Sequence, residues 1–210
     1  MELSHPLRVV TAALDADLLE VLAGADSAFT GRELARLAGA SAEGTRRALA
    51  RLVEQGIVER RAAGTAQMYR LNREHLAAPA IVLLAGLRSE LIDRIRMRMA
   101  GWAVPAVYSA LFGSAARGEE RPNSDLDLFV LRPGEVGVDD ARWREQVAAL
   151  ERDVSRWTGS DARVFELGAD EIDSSAEQLT VLDDIVRDGV ALSGDPRSMR
   201  RRVRSLRSGS

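Results

Sequence analysis

Apolar and polar positions follow two regimes along this 210-residue chain. Up to about residue 100 apolar residues recur at helical spacing around one alternating stretch; beyond it, short unbroken apolar runs alternate with helical segments. Asp15 is the expected N-cap of a helix running to Ala23, with Gly24 as its stop. Thr30 and Glu33 make a capping box that opens a second helix through Leu34, Leu37 and Ala38, ended by Gly39. Ser41 caps a third helix to Gln55, closed by Gly56. On that helix Leu49, Leu52 and Val53, with Thr45 one turn earlier, share the inner face, while Arg46, Arg47, Ala50 and Arg51 fall opposite. Residues 57–61 and 67–71 alternate around a turn at 62–65, the pattern of a hairpin.

Past Pro79, the spacing of Ile81, Leu84, Leu87, Leu91 and Ile95 predicts one long connecting helix from Ile81 to Met99; Met97 and Met99 need no reading beyond packing. The run Val107 to Phe112, broken only by Ser109, reads as a buried strand that stops at Gly113-Ser114. A polar loop with Gly118, Pro122 and Asn123 leads into a second strand, Asp125 to Arg132. A helix from Asp140 to Trp157, a strand over 162–167 and a closing helix over 181–192 complete the pattern. The expected division is 1–78, 79–195 and a basic tail over 196–210 whose six arginines, serines and glycine predict disorder. Such a tail is either inert or a source of nonspecific affinity for nucleic acid or an acidic partner. The fold class is α+β.

Composition narrows the options. Hydrophobic residues make up 46% of the chain, enough for proper cores, and no run approaches the roughly 18 apolar residues of a membrane span. No signal-peptide pattern opens the sequence and cysteine is absent, so a cytoplasmic protein is expected. His5 and His75 stand far apart in sequence, which argues against a zinc site. Trp102, Trp143 and Trp157 are expected in cores or interfaces, and Glu119 and Glu120 as solvated loop charge. All 29 basic residues are arginine, which with abundant Ala and Gly reads as GC-rich coding, so arginine identity alone says little. Residues 1–75 balance ten arginines against ten acids, whereas residues 76–195 set 13 against 22. That middle is too acidic to attract nucleic acid across its whole surface.

The chemistry concentrates between the two apolar strands. Side chains at i and i+2 of a strand share a face about 6–7 Å apart. Asp125 and Asp127 can therefore ligate a pair of divalent ions about 4 Å apart. Gly113 lets a phosphate approach the backbone, and Ser114 with the following amides can hold it. Two metals and a phosphate cradle are equipment for nucleotidyl transfer.

The stretch Gly113-Ser114-Ala115-Ala116-Arg117-Gly118, followed by Ser124-Asp125-Leu126-Asp127-Leu128, resembles the minimal nucleotidyltransferase family of the polymerase-beta superfamily, from about Arg88 to Asp195. The resemblance implies a small mixed sheet with flanking helices. It also implies Mg²⁺ held by Asp125 and Asp127, a triphosphate held by Gly113 and Ser114, and ATP or another nucleoside triphosphate as donor. An acceptor hydroxyl would attack the α-phosphate and pyrophosphate would leave, with Arg117 as a clamp on the departing phosphates. The family usually adds a third carboxylate on a later strand, where Arg163 aligns here. Asp161 lies two residues earlier on the same face; Glu166 lies on the other face unless a bulge intervenes. Asp161 substitutes, or Glu166 does, or the third carboxylate is missing.

Three helices and a hairpin over about residues 12–73 resemble the winged helix-turn-helix of bacterial transcriptional regulators. The resemblance implies DNA binding, with Arg46, Arg47 and Arg51 of the third helix in a major groove and Arg60, Arg61 and Arg70 flanking the wing. A homodimer is expected by analogy. Together the parts imply an Mg²⁺-dependent transferase that places a nucleoside monophosphate, AMP if ATP is the donor, on a protein or small-molecule hydroxyl. Some family members are antitoxins that modify a paired toxin. The alternative is a winged-helix regulator whose nucleotidyltransferase domain senses nucleotide or is inactive.

Overall fold

The second and third helices of the N-terminal part start where their capping residues stand. A 3-10 turn (Pro6–Val9) precedes α1 (Leu14–Ala23), β1 (Phe29–Thr30), α2 (Gly31–Leu37), α3 (Ala42–Glu54), β2 (Val58–Ala63), β3 (Ala66–Leu71) and α4 (Ala78–Ala85). The architecture comes from a computed structural model describing residues 1–11, 13–119, 124–172 and 178–208. Glu120, Pro122 and Asn123 of the expected loop lie outside the described residues. The capping box is present: the Glu33 amide donates to the Thr30 hydroxyl at 3.2 Å and the Thr30 amide to the Glu33 carboxylate at 2.7 Å. Ser41 accepts from the Gly44 amide at 3.1 Å, opening α3. The strands pair antiparallel in the order β1-β3-β2. Leu18, Leu22, Leu34, Leu49, Leu52, Val58 and Leu71 meet in one core, each such side chain stabilising the fold by about 1.5–3 kcal/mol.

Three expectations change in this part. Helix α1 starts two residues early with Ala13 at its N-cap, so Asp15 sits in the first turn, where a carboxylate still complements the helix dipole. Helix α2 buries Leu34 and Ala35 and leaves Leu37 exposed. The long connecting helix is two helices: α4 ends at Ala85, with the Gly86 amide bonded back to the Val82 and Leu83 carbonyls. Ile81 belongs to the N-terminal core, and the chain divides into compact units at Ser89–Glu90 rather than near residue 78.

The second unit is built from α5 (Leu87–Ala100), β4 (Tyr108–Phe112), α6 (Gly113–Arg117), β5 (Leu126–Arg132), α7 (Ala141–Thr158), β6 (Ala162–Gly168), α8 (Leu179–Asp188), β7 (Val190–Ser193) and α9 (Pro196–Ser208). Its sheet runs β6-β5-β4-β7, with β5 and β6 parallel and the other pairs antiparallel. Tyr108, Phe129, Leu131 and Leu167 face α8 and α9. The opposite face meets α5 and α7: Ser109 Oγ donates to Met99 Sδ at 3.3 Å, and the Val164 amide to Glu151 at 2.9 Å. Trp102 and Trp143 are buried edge to face at 5.5 Å, and Arg94 lies over the half-buried Trp157 ring.

The expected closing helix is α8 followed by strand β7, which covers the free edge of β4. Over residues 196–208 the expected disordered tail is a helix: α9 buries Met199 and Val203, with Leu206 packed behind them. Its apolar stripe is narrow, and six arginines on a 13-residue helix masked it in the composition.

Candidate active site

Because β4 runs antiparallel to β5 and β5 parallel to β6, the end of β4 and the starts of β5 and β6 meet at one edge of the sheet. Asp127 is paired in register with Phe112 on one side and Arg163 on the other. Gly113 follows Phe112 with φ +71°, a left-handed conformation that glycine adopts without a Cβ clash. A Cβ on Gly113 would stand 2.6 Å from Asp127 Oδ2, so the carboxylate occupies the space the missing side chain leaves. Gly113, Ser114, Asp125 and Asp127 therefore lie where the end of β4 and the start of β5 meet.

Burial pushes the Asp127 carboxyl above its ordinary range, and the neighbouring Asp125 charge adds to the shift; Arg163 opposes it. Asp125 is partly exposed and forms an ion pair with Arg163, Nη1 to Oδ2 at 2.9 Å. Two carboxylates at alternate positions on one face are a hard-oxygen donor set of the kind Mg²⁺ prefers. The carboxylate oxygens of Asp125 and Asp127 fit a divalent ion, while the Arg163 guanidinium against Asp125 offsets part of their charge and occupies one of the oxygens.

The third carboxylate resolves in part. Glu166 pairs with Val130 across the sheet and lies on the α7 face, away from Asp127. There it binds the buried Arg132 at 2.9 Å, with Arg144 at 3.6 Å, and Arg132 also bonds Glu171 and the Val136 carbonyl. Glu166 thus has a structural partner on the face opposite Asp127. Asp161 stands exposed just before the first β5–β6 pair, its carbonyl accepting from the Leu126 amide at 2.8 Å.

Arg117 closes α6 and pairs with Glu119 at 2.8 Å, so Glu119 is engaged rather than merely solvated. Asp184 and Asp188 of α8 also bear on the Arg117 guanidinium and are themselves bonded by Arg187. These two acids, one helical turn apart on α8, are the site neighbours that sequence reasoning missed; the i, i+4 spacing was their only signal.

On the helix-turn-helix unit, five of the six candidate arginines are already paired within it. Glu43 bonds both Arg46 and Arg47 at 2.8 Å, which holds its carboxyl down at about 2. Asp15 bonds Arg51 at 2.7 Å, and Glu59 bonds Arg70 at 2.8 Å and Arg61 at 3.4 Å. Arg60 has no ion pair among the described residues. His5 lies 3.2 Å from Glu20 and 3.6 Å from Asp17, although the histidines are distant in sequence. Arg8 holds both Asp17 oxygens and the Leu7 amide bonds Glu20, so that cluster is internally satisfied.

Comparison with known proteins agrees with this division. The profile described as a nucleotidyltransferase domain matches residues 104–180, and that of the IclR helix-turn-helix domain matches residues 16–62. No curated protein matches the chain. Among solved structures, a toxin-antitoxin with AMP-PNP is 20% identical over 56% of this chain and 84% of that one, with a TM-score of 0.41. Two mutants of the toxin-antitoxin MntA-HpeT match similarly. One is 19% identical over 56% of this chain and 84% of that one, TM-score 0.42. The other is 20% identical over 55% and 82%, TM-score 0.40. The chain joins a helix-turn-helix domain of the IclR type to a nucleotidyltransferase domain.

Proposed function

We propose that this protein transfers a nucleoside monophosphate from a nucleoside triphosphate, ATP as first choice, to a hydroxyl of a protein or small molecule. The observation that carries the reading is the convergence of Gly113, Ser114, Asp125 and Asp127 on one sheet edge, with Asp127 seated against Gly113. Asp125 and Asp127 would hold Mg²⁺, which when bound neutralises phosphate charge and polarises the phosphoryl oxygens. The half-buried Ser114 hydroxyl would bond a phosphate oxygen, and Arg117 would receive charge on the departing pyrophosphate by exchanging Glu119 for it. The acceptor oxygen attacks the α-phosphorus, the bond to the β-phosphate oxygen breaks, and the acceptor proton goes to a base. Asp161 is our candidate for that base, being exposed on the face Asp127 shares.

The helix-turn-helix domain would bind DNA through α3 and the β2–β3 wing. Its arginine pairs lie at the surface, where an ion pair is worth only about 0–1 kcal/mol. Phosphates can therefore displace the acids. The test of the transfer reading is incubation with α-labelled ATP, Mg²⁺ and a pool of protein and small-molecule acceptors. A paired toxin encoded beside this chain would be the first protein acceptor to try. Label on an acceptor with stoichiometric pyrophosphate supports it, and no release with any acceptor overturns it. The Arg163–Asp125 pair favours a second reading, a nucleotide-sensing DNA-binding regulator, which predicts nucleotide-dependent DNA affinity without pyrophosphate.

A further inference from the structure

The donor set at this edge is unusual in its balance of charge. Two carboxylates, Asp125 and Asp127, face the position, and the residue paired in register with Asp127 on the neighbouring strand is an arginine. Its guanidinium bonds Asp125 Oδ2 at 2.9 Å, taking one of the four carboxylate oxygens. Arginine does not deprotonate in proteins, so this cation is present at every working pH. It is also covalently tethered beside the carboxylate, so it competes with free ions at any metal concentration. A pair of ions about 4 Å apart needs anionic ligands shared between them and repels any third positive charge nearby. The Asp161 carboxylate, the nearest further acid along the strand, makes no hydrogen bond or ion pair with these groups among the described residues and is exposed.

We infer that this site holds one divalent cation per chain and that the Arg163 guanidinium takes the place of a second. The inference rests on the metal-dependent reading above and deepens it. The remaining oxygens of Asp125 and Asp127 serve a single ion that accompanies the triphosphate. Where a two-ion site clamps both the attacking and the leaving oxygen, here one of those positions is served by a planar, charged hydrogen-bond donor. Arg163 is a positioning residue in this arrangement, and its effect is read in ion count rather than in turnover.

The test is titration of Mn²⁺, followed by its electron paramagnetic resonance signal, into the full chain with AMP-PNP. The wild-type chain should bind one Mn²⁺ with no spin coupling. Arg163→Asp, at a side chain 68% exposed and so tolerant of replacement, should bind two with the broadening of a coupled pair. Thermal melting of both proteins checks that the fold is kept. Two coupled ions in the wild-type chain would overturn the inference while leaving the metal-dependent reading intact. No bound Mn²⁺ in the wild type would overturn both. A variant that stays at one ion would show that the guanidinium is not what excludes the second.

Discussion

Asp127 Oδ2 stands 2.6 Å from the point where Gly113 would carry a Cβ, so a glycine on one strand end and a carboxylate on the next are fitted to each other. Gly113 also has φ +71°, a left-handed conformation that costs an ordinary L-residue about 1–2 kcal/mol. Gly113→Ala should lower stability by about that amount and displace the Asp127 carboxylate. Mn²⁺ affinity in the variant should fall at least tenfold, measured by titration beside a thermal melt. Unchanged affinity would show that Asp127 does not need this seat.

The raised Asp127 carboxyl gives a pH dependence with a definite sign. A metal ligand must be ionised, so affinity is lost as pH falls through the Asp127 value, which burial and then Asp125 place above the ordinary aspartate range. An acid raised in the folded state opposes folding once ionised, so Asp127→Asn should be more stable than wild type at neutral pH. Removing the second cause with Asp125→Asn should move the midpoint of Asp127 titration down. Carboxyl chemical shifts followed by NMR against pH would read it, and a midpoint that stays in place would refute the coupling.

Glu43 holds Arg46 and Arg47 at once. If α3 meets DNA phosphates, Glu43→Ala should tighten binding and steepen the dependence of log affinity on log salt by up to about 2. Arg46→Ala with Arg47→Ala should weaken binding and flatten the same slope. Fluorescence anisotropy on a labelled duplex across a salt series measures both, and slopes that do not change would remove α3 from the interface.

Arg132 is 3% exposed and depends on Glu166 on the α7 face of the sheet. Breaking a buried pair by removing one partner costs about 3–5 kcal/mol. Glu166→Ala should fall near the low end of that range, because Glu171 and the Val136 carbonyl still serve the guanidinium. Chemical denaturation gives the number. Nucleotide affinity should be unchanged in the folded variant, and its loss would return Glu166 to the site.

What the sequence made legible was local. The capping box at Thr30, the Ser41 cap, the alternation of the hairpin and the apolar runs around Gly113 and Asp125 are written in adjacent residues, and the structure has each of them. Misreadings arose where distant contacts decide. Gly86 splits a continuous apolar stripe because its two halves belong to different cores. Val190–Ser193 becomes a strand because β4 offers it an edge. Met199 and Val203 pull an arginine-rich tail into a helix because the sheet face needs cover. The alignment of Arg163 beside the aspartates could be read from the strand pattern, but its bond to Asp125 could not, since the i to j geometry of a parallel pair fixes it.

The most direct test of the account is calorimetric titration of ATP with Mg²⁺ into the wild-type chain and into the Asp125→Asn, Asp127→Asn double variant. Metal-dependent binding to the wild type, abolished or weakened at least tenfold in the double variant, is the predicted result. Equal binding by both proteins, or none by the wild type, would contradict the claim that this sheet edge is a nucleotide and metal site.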